Sequence, residues 1–529
     1  MRRATAISRV RRSPWVLILA AVAVLTVVRN LAGLDDAPPG AYVDETSIGY
    51  NAWAIDTHGV DEHGAHLPLY FTAFGEYKNP VYIYTLSALL RVLPLTVTTE
   101  RVPAAIFGLL TCLFITLIAF RRSRSLPLTT LVLALAALTP WLTVESRVGF
   151  EVIALVAAVS GALLCLSMAQ DTGRWAWYAG AGLFLGIAVF AYSTARVAVL
   201  LFAVALVIAH SPHWKRHVRA WMITLVPVVV AYGVLAAWSA QHPGAITARF
   251  NAISVGADGA PLVTVAGRFI GNYLTYFGPD FLFVSGDHNP RHNTQFSGML
   301  MWIALPLLLA GLVGAWRRRD QPFVRFAILG LLAAPMSAAL TIESVPHAVR
   351  AAVMLPFLLI LCVEGLVFLT EHAASWRGYA YAGAAVALAL QGALFTVDMY
   401  AAWPGRAAAA FDYGEIDAIT RAQALSGGRR VLLSVNLDQP YIQAAFAFRP
   451  PPPQTFVANS ASPLLAALNM TLFDPANPPS APGAIAVLSA SDPAPANAQR
   501  LFDEVTPPAA VALAPTPPPG VTVVVYRLG

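Results

Sequence analysis

YVDETSIGYNAWAIDTHGVDEHGAHLPLYFTAFGEYKNP, residues Tyr42 to Pro80, decides how the rest of the chain is read. It holds the adjacent carboxylates Asp44 and Glu45, a second acidic pair, Asp61 and Glu62, and the run Glu76-Tyr77-Lys78. Around it the 529-residue chain is mostly hydrocarbon, 57% hydrophobic and only 12% charged. Soluble domains carry about 25% charged residues. A group of acids and a lysine in one loop of so apolar a chain marks a place where polar chemistry is retained.

Outward from that loop, apolar runs approach the roughly 20 residues needed to cross a bilayer, and they recur to about residue 396. The class is therefore an all-α polytopic membrane protein. Its net charge of +6 bears on topology, and nucleic acid is not an expected partner. Cys112, Cys165 and Cys362 lie inside apolar runs and offer neither zinc spacing nor a disulfide framework. Arg2, Arg3, Arg9, Arg11 and Arg12 precede the first span, about Pro14 to Leu31, which reads as an uncleaved helix with a cytoplasmic N-terminus.

The loop from Leu34 is then outside. Asp44 can open a helix there, since Ile48, Ala52 and Ile55 recur at helical spacing, and His58-Gly59 ends it. Carboxylates at a helix start meet the favourable end of the backbone dipole. The run Pro80 to Leu93 is apolar enough to span, yet spanning would turn Arg121, Arg122 and Arg124 outward. Read instead as a surface helix, as Tyr82, Tyr84 and Arg91 allow, it leaves every later basic cluster inside. These clusters are Arg174; Lys215, Arg216 and Arg219; Arg317, Arg318, Arg319 and Arg325; and Arg377. The remaining spans are expected near 103–120, 126–144, 148–168, 175–192, 196–210, 220–238, 298–316, 324–340, 351–370 and 378–396. With the first, about eleven helices result.

Two later outer loops also draw notice, 239–297, which ends in FVSGDHNPRHNTQFSG, and TIESVPHAVR at 341–350. After Val397 the apolar runs shorten to strand length (VLLSV, AIAVL, VTVVVY) among Pro-rich segments, which predicts a small extracytoplasmic α/β domain. The expected division is a transmembrane domain over 1–396, with its outer loop at 34–102, and a soluble domain over 397–529.

A transferase working outside the cytoplasmic membrane has no nucleotide sugars to draw on and would use a lipid-linked donor. Phosphate is a weakly basic leaving group and needs cations more than an acid; the acceptor hydroxyl needs a base. Asp44 as base, Glu45 as second carboxylate or acceptor ligand, and Lys78 and Arg101 as phosphate partners supply that apparatus. The motifs VDETSIGYNAW (43–53), FGEYKNP (74–80) and ERVPAAIFG (100–108) resemble the GT-C superfamily. They are similar to the bacterial branch of the dolichyl-phosphate-mannose–protein mannosyltransferase family (glycosyltransferase family 39) and to lipid A aminoarabinose transferases. The resemblance covers about residues 10–400 and is specific mainly over 40–108. It implies a catalytic Asp44, donor-phosphate contacts from Lys78 and Arg101, and a surface helix that does not span.

Each residue has a plainer reading beside the functional one. Asp44 and Glu45 serve equally as helix caps, and Lys78 and Arg101 as interfacial anchors. Asp61, Glu62 and His63 read as a solvated structural turn. Arg147 with Glu145 and Glu151 reads as a helix-end ion pair. Candidate substrate contacts are Glu76, Tyr77, Tyr192 (beside Ser193) and Arg196, together with Asp287, His288, Arg291 and His292, whose spacing fits no zinc pattern. His347 and Arg350, one helical turn apart, complete them. Trp53, Trp141 and Trp302 read as interfacial belt residues. No metal or other cofactor is expected. Expected partners are the bilayer, a polyprenyl-phosphate-linked sugar and a glycolipid, polysaccharide or protein acceptor, at the outer face of a bacterial cytoplasmic membrane. The alternative is a transporter or flippase of lipid-linked sugars, which calls for ionisable groups at mid-membrane depth and internal repeats. Glu364 is the main such group, and no repeat is visible. A structural envelope protein leaves the loop acids unexplained.

Overall fold

The computed structural model describes residues 13–211, 214–372, 375–511 and 513–529, with the side chains of 214–217 and 377 undescribed. The five N-terminal arginines and the side chains of Lys215, Arg216 and Arg377 therefore lie outside the described residues. Contacts divide the chain into two units. One comprises residues up to Ala32, Ala104–Ser146 and Glu151–Thr396; the other comprises Gly33–Pro103, Arg147–Phe150 and Val397–Gly529.

The first unit is helical. Seven helices of the chain are long and apolar enough to cross a membrane: Pro14–Leu31 (α1), Val97–Ser123, Val152–Thr172, Val218–Gln241, Pro322–Ala339, Met354–His372 and Gly378–Ala401. The other four expected spans are shorter apolar helices, Leu126–Leu138, Trp175–Val189, Ala195–His210 and Ala304–Arg317, so length alone does not reproduce the count of eleven. Val152–Thr172 is 89% buried, whereas α1 is only 11% buried. A helix apolar all round is stable at the rim only if its solvent is lipid. Glycines let some pairs approach closely: a Cβ on Gly365 would stand 2.0 Å from the Leu307 carbonyl oxygen, and one on Gly182 would stand 2.2 Å from that of Thr224. Cys112, Cys165 and Cys362 are buried and free.

Glu364, the charged residue expected to interrupt an apolar run, is held at one end of the bundle. Arg122 Nε donates to it at 2.7 Å and Arg318 Nη1 at 2.8 Å. Trp141, expected at the interface, is fully buried and packs edge-on to Phe281 at 5.4 Å. Trp302, in contrast, is exposed.

The second unit joins the first loop to the C-terminal residues. From the loop come helix α2 (Val43–His58), strands β1 (Phe71–Ala73) and β2 (Glu76–Lys78), and helix α3 (Pro80–Leu90). From the C-terminal part come β3 (Val431–Ser434), β4 (Met470–Phe473), β5 (Ile485–Ser489), β6 (Gln499–Val505) and β7 (Val521–Arg527). They form one mixed sheet in the order β4-β3-β5-β7-β6. The pairs β3–β4 and β3–β5 are parallel, and β7 is antiparallel to both β5 and β6. Its three most apolar strands were legible in sequence; β6, rich in polar residues on its partly exposed surface, was not. One core unites the two parts. Val43, Tyr50 and Ala54 of α2 bury with Ile419, Val431, Leu433, Ile442, Ile485 and Val525.

Candidate active site

Helix α2 begins where expected. Tyr42 caps it, and the Glu45 carboxylate turns back to accept the Tyr42 N–H at 3.0 Å. Left-handed Gly59 ends it after His58. Beyond it the chain reverses through Phe74 and Gly75, both at positive φ (55° and 78°). A two-residue turn of that kind matches the twist of a hairpin and favours glycine at its second position. β1 and β2 then pair antiparallel, Ala73 opposite Glu76 and Phe71 opposite Lys78. This hairpin was not apparent in the sequence, because each arm is only three residues long.

The hairpin delivers Lys78 to Asp44, with Nζ 2.6 Å from Oδ1. The lysine side chain is 12% exposed and the carboxylate 38%, so the pair is open to solvent on the carboxylate side. Lys78 also lies over the Phe74 ring at 5.2 Å. Glu76 is exposed at the turn and Tyr77 half-buried.

Glu45 faces the opposite way and is 1% exposed. Its Oε1 accepts from Arg101 Nε (2.8 Å) and Gly149 N–H (2.9 Å), and its Oε2 accepts from Arg101 Nη2 (2.9 Å) and Tyr42 N–H. That fills the acceptor positions a carboxylate presents. Arg101 is equally committed. Besides Glu45 it donates from Nη1 to the carbonyls of Leu34 (2.7 Å) and Pro38 (2.6 Å) and from Nη2 to Gly40 (2.8 Å). A guanidinium has five N–H groups, and all five are directed at protein acceptors. Arg101 is fully buried. Arg101, expected at the donor phosphate, and Glu45, expected as second carboxylate or acceptor ligand, are thus bonded to one another and to the backbone around the start of α2, where Asp44 stands.

Arg147, expected in a helix-end ion pair, joins this grip. Its Nε donates to Ala37 O at 2.7 Å and its Nη2 to Gly33 O at 2.5 Å, with its guanidinium over the Tyr400 ring at 5.1 Å. Burial lowers its pKa. Two buried arginines from distant parts of the sequence therefore wrap the segment 33–40. Linear spacing gave no sign of it.

Asp61, Glu62 and His63 correct another expectation. All three are buried. Asn51 accepts the Glu62 N–H at 2.9 Å and donates to the Glu62 carboxylate at 3.3 Å, while His63 pairs with Val457 through backbone and ring. Burial pushes the Glu62 carboxyl up to about 7 and raises Asp61 as well.

In the first unit, Asp287 and His292 meet His347. Asp287 Oδ2 lies 2.8 Å from His292 Nδ1 and accepts the Ala348 N–H at 2.7 Å; Oδ1 accepts from Asn289 N–H at 2.8 Å. Burial would raise Asp287, but these contacts bring it below the ordinary carboxylate range. The His292 and His347 ring centroids lie 4.6 Å apart, the planes tilted by 33°. Burial, then His292 and Arg350, push His347 down to about 2, so its imidazole is neutral. Arg350 points elsewhere, donating to Glu343 Oε2 at 2.5 Å and to the Glu343 carbonyl at 2.7 Å. His288 is exposed and Arg291 half-buried. Tyr192 and Arg196 flank the turn before Ala195–His210, where the Arg196 carbonyl accepts from Tyr232 Oη.

By sequence the chain matches no family model and no curated protein. Solved structures do resemble it. ArnT from Cupriavidus metallidurans bound to undecaprenyl phosphate aligns with a TM-score of 0.57 at 14% identity, covering 98% of either chain. The same protein in the apo state gives 0.56 at 14%, covering 97% of either. The Archaeoglobus fulgidus oligosaccharyltransferase in complex with Zn and sulfate gives 0.50 at 11%, over 89% of this chain and 68% of that one. At such identities the likeness is one of fold: the chain shares the fold of ArnT over nearly the whole of either chain.

Proposed function

We propose that this protein is an inverting glycosyltransferase that moves one sugar from a polyprenyl-phosphate donor to an acceptor hydroxyl. The acceptor is a glycolipid, an envelope polysaccharide or a secreted protein. Transfer takes place on the outer face of a bacterial cytoplasmic membrane, as the basic residues between the apolar runs of the sequence argue. The observation that carries this reading is the division of labour between neighbouring carboxylates. Glu45 is consumed by Arg101, Gly149 and Tyr42, whereas Asp44 has one lysine partner at 2.6 Å and an open side.

In this mechanism Asp44 takes the acceptor proton as the hydroxyl oxygen attacks the anomeric carbon. The sugar–phosphate bond breaks, its electron pair leaves with the lipid phosphate, and the new glycosidic bond has inverted configuration. Lys78 pairs with Asp44 before the donor arrives, and its ammonium charge stabilises the charge growing on the phosphate. Arg101, Glu45 and Arg147 position Asp44 without touching substrate. The likeness to ArnT, solved with undecaprenyl phosphate, supports the donor class. Glu364, held by two arginines at a bundle end, does not favour the transporter alternative.

Asp44→Asn tests the reading. Transfer of labelled sugar from polyprenyl-phosphate donors in membranes should fall at least 10²-fold, within the usual contribution of a general base, while the unfolding temperature of the purified protein holds. Wild-type turnover in Asp44→Asn would overturn it. Lipid and glycan extracts of a deletion strain, compared with its parent by mass spectrometry, would identify sugar and acceptor.

A further inference from the structure

The stretch Asp287 to His292 carries three ligand-type side chains at a spacing that suits no zinc motif. The fold supplies what the spacing lacks. His347, from the short outer loop before Met354–His372, brings its ring against His292, and donor atoms of Asp287, His292 and His347 all lie within 4.8 Å of one another. Asp287 and His292 are buried and His347 half-buried.

Two further observations point to a cation. Nδ1 of His347 is buried with no hydrogen-bond partner, although its imidazole has a lone pair to offer. Glu145, 2% exposed, has no hydrogen-bond partner for either carboxylate oxygen, and it lies close enough to Asp287 for their charges to repel. Burying two carboxylates near each other, one of them unpaired, is costly unless a positive charge is shared between them. Two imidazoles at the same point would add ligands rather than charge.

We propose that Asp287, His292 and His347 bind one divalent transition-metal ion. Two imidazoles and a carboxylate suit zinc. Ligand atoms around tetrahedral zinc lie roughly 3.4 Å apart, from bond lengths of about 2.0–2.2 Å; those of this cluster lie within 4.8 Å of one another. Asp287 Oδ2 and His292 Nδ1, at 2.8 Å, stand at a separation that a shared proton bridges and a shared ion would widen slightly. The Ala348 and Asn289 N–H groups that hold Asp287 serve as outer partners of the kind that orient metal ligands. Such an ion clips the loop ending at residue 297 to the loop at 341–350.

The experiment uses the full chain, purified in detergent, stripped with a chelator, reloaded with Zn²⁺ and desalted. Wild type and His288→Ala, which alters the exposed neighbour, should each retain one zinc per chain by mass spectrometry. The double variant His292→Ala/His347→Ala should retain less than a tenth of that while eluting as the same monodisperse species. Zinc-edge X-ray absorption of wild type guards against misfolding of the variant and should report two imidazole ligands. Wild type that keeps no zinc, a double variant that keeps all of it, or a spectrum without imidazole would each overturn the proposal. None of these readouts involves sugar transfer, so the proposal stands or falls apart from the role given to Asp44.

Discussion

Replacing Arg101 by Met separates a scaffold from a ligand contact. The change leaves Glu45 buried with only the Tyr42 and Gly149 N–H groups as donors, and it strips the carbonyls of Leu34, Pro38 and Gly40 of the guanidinium. Removing one partner of a buried ion pair costs about 3–5 kcal/mol, because the other charge stays uncompensated. Each buried carbonyl left unsatisfied adds roughly 1–3 kcal/mol, less where the segment relaxes. A loss above about 3 kcal/mol is therefore expected, a large share of the 5–15 kcal/mol that holds a typical domain. Lys78→Met is the comparison: its pair with Asp44 is 12% and 38% exposed, and exposed pairs contribute about 0–1 kcal/mol. Gel filtration after heating steps should show Arg101→Met lost at markedly lower temperature than wild type, and Lys78→Met close to wild type but inactive in transfer. Arg101→Lys should fall between, since an ammonium has three donors where five are used. Adding Glu45→Gln to Arg101→Met should recover part of the loss. Wild-type stability in Arg101→Met, together with weakened donor binding alone, would refute this account and return Arg101 to the phosphate.

Further tests concern the buried turn. Glu62 titrates near 7 in the folded protein because burial raises it from 4.5. A carboxyl raised by folding favours the folded state most below the unfolded pKa, and that contribution is lost as pH rises through the folded one. The unfolding free energy of the wild type should therefore decline between about pH 4.5 and 7 through this group, by on the order of 3 kcal/mol, and the unfolding temperature with it. Glu62→Gln should flatten that slope; an unchanged slope argues against it. Gly64, at φ 84°, has the Thr455 carbonyl oxygen 2.5 Å from where a Cβ would stand. Gly64→Ala should thus cost more than the roughly 1–2 kcal/mol of a left-handed alanine, measured by thermal unfolding; a neutral change would refute the contact.

Much of the architecture was legible because membrane helices announce themselves by apolar length, and the basic residues between them by charge. The start and stop of α2 were legible for a local reason: a capping carboxylate, a helical repeat of Ile48, Ala52 and Ile55, and His58-Gly59 at the end. The nearness of Lys78 to Asp44 was expected from the motif, but its cause, a hairpin of three-residue arms, was not. Long-range matters were hidden. Nothing in the vicinity of Arg101 or Arg147 reveals that both turn inward on the carbonyls of 33–40. Polar composition made Asp61-Glu62-His63 look solvated, yet their burial depends on Val457 and Asn51. His347 likewise acquires a meaning only once a distant loop brings Asp287 and His292 to it.

The shared core of α2 and the mixed sheet also sets a timetable. Tyr50 hydrogen-bonds the Pro450 carbonyl through its hydroxyl at 2.8 Å, and Ile442, Ile485 and Val525 belong to the same core as that helix. A ribosome making about 5–20 residues per second completes the loop long before it reaches those residues. Until β7 has been synthesised, the segment carrying Asp44 must wait half-built, its apolar face uncovered, and a nascent chain is most exposed to proteases and holding chaperones during that interval.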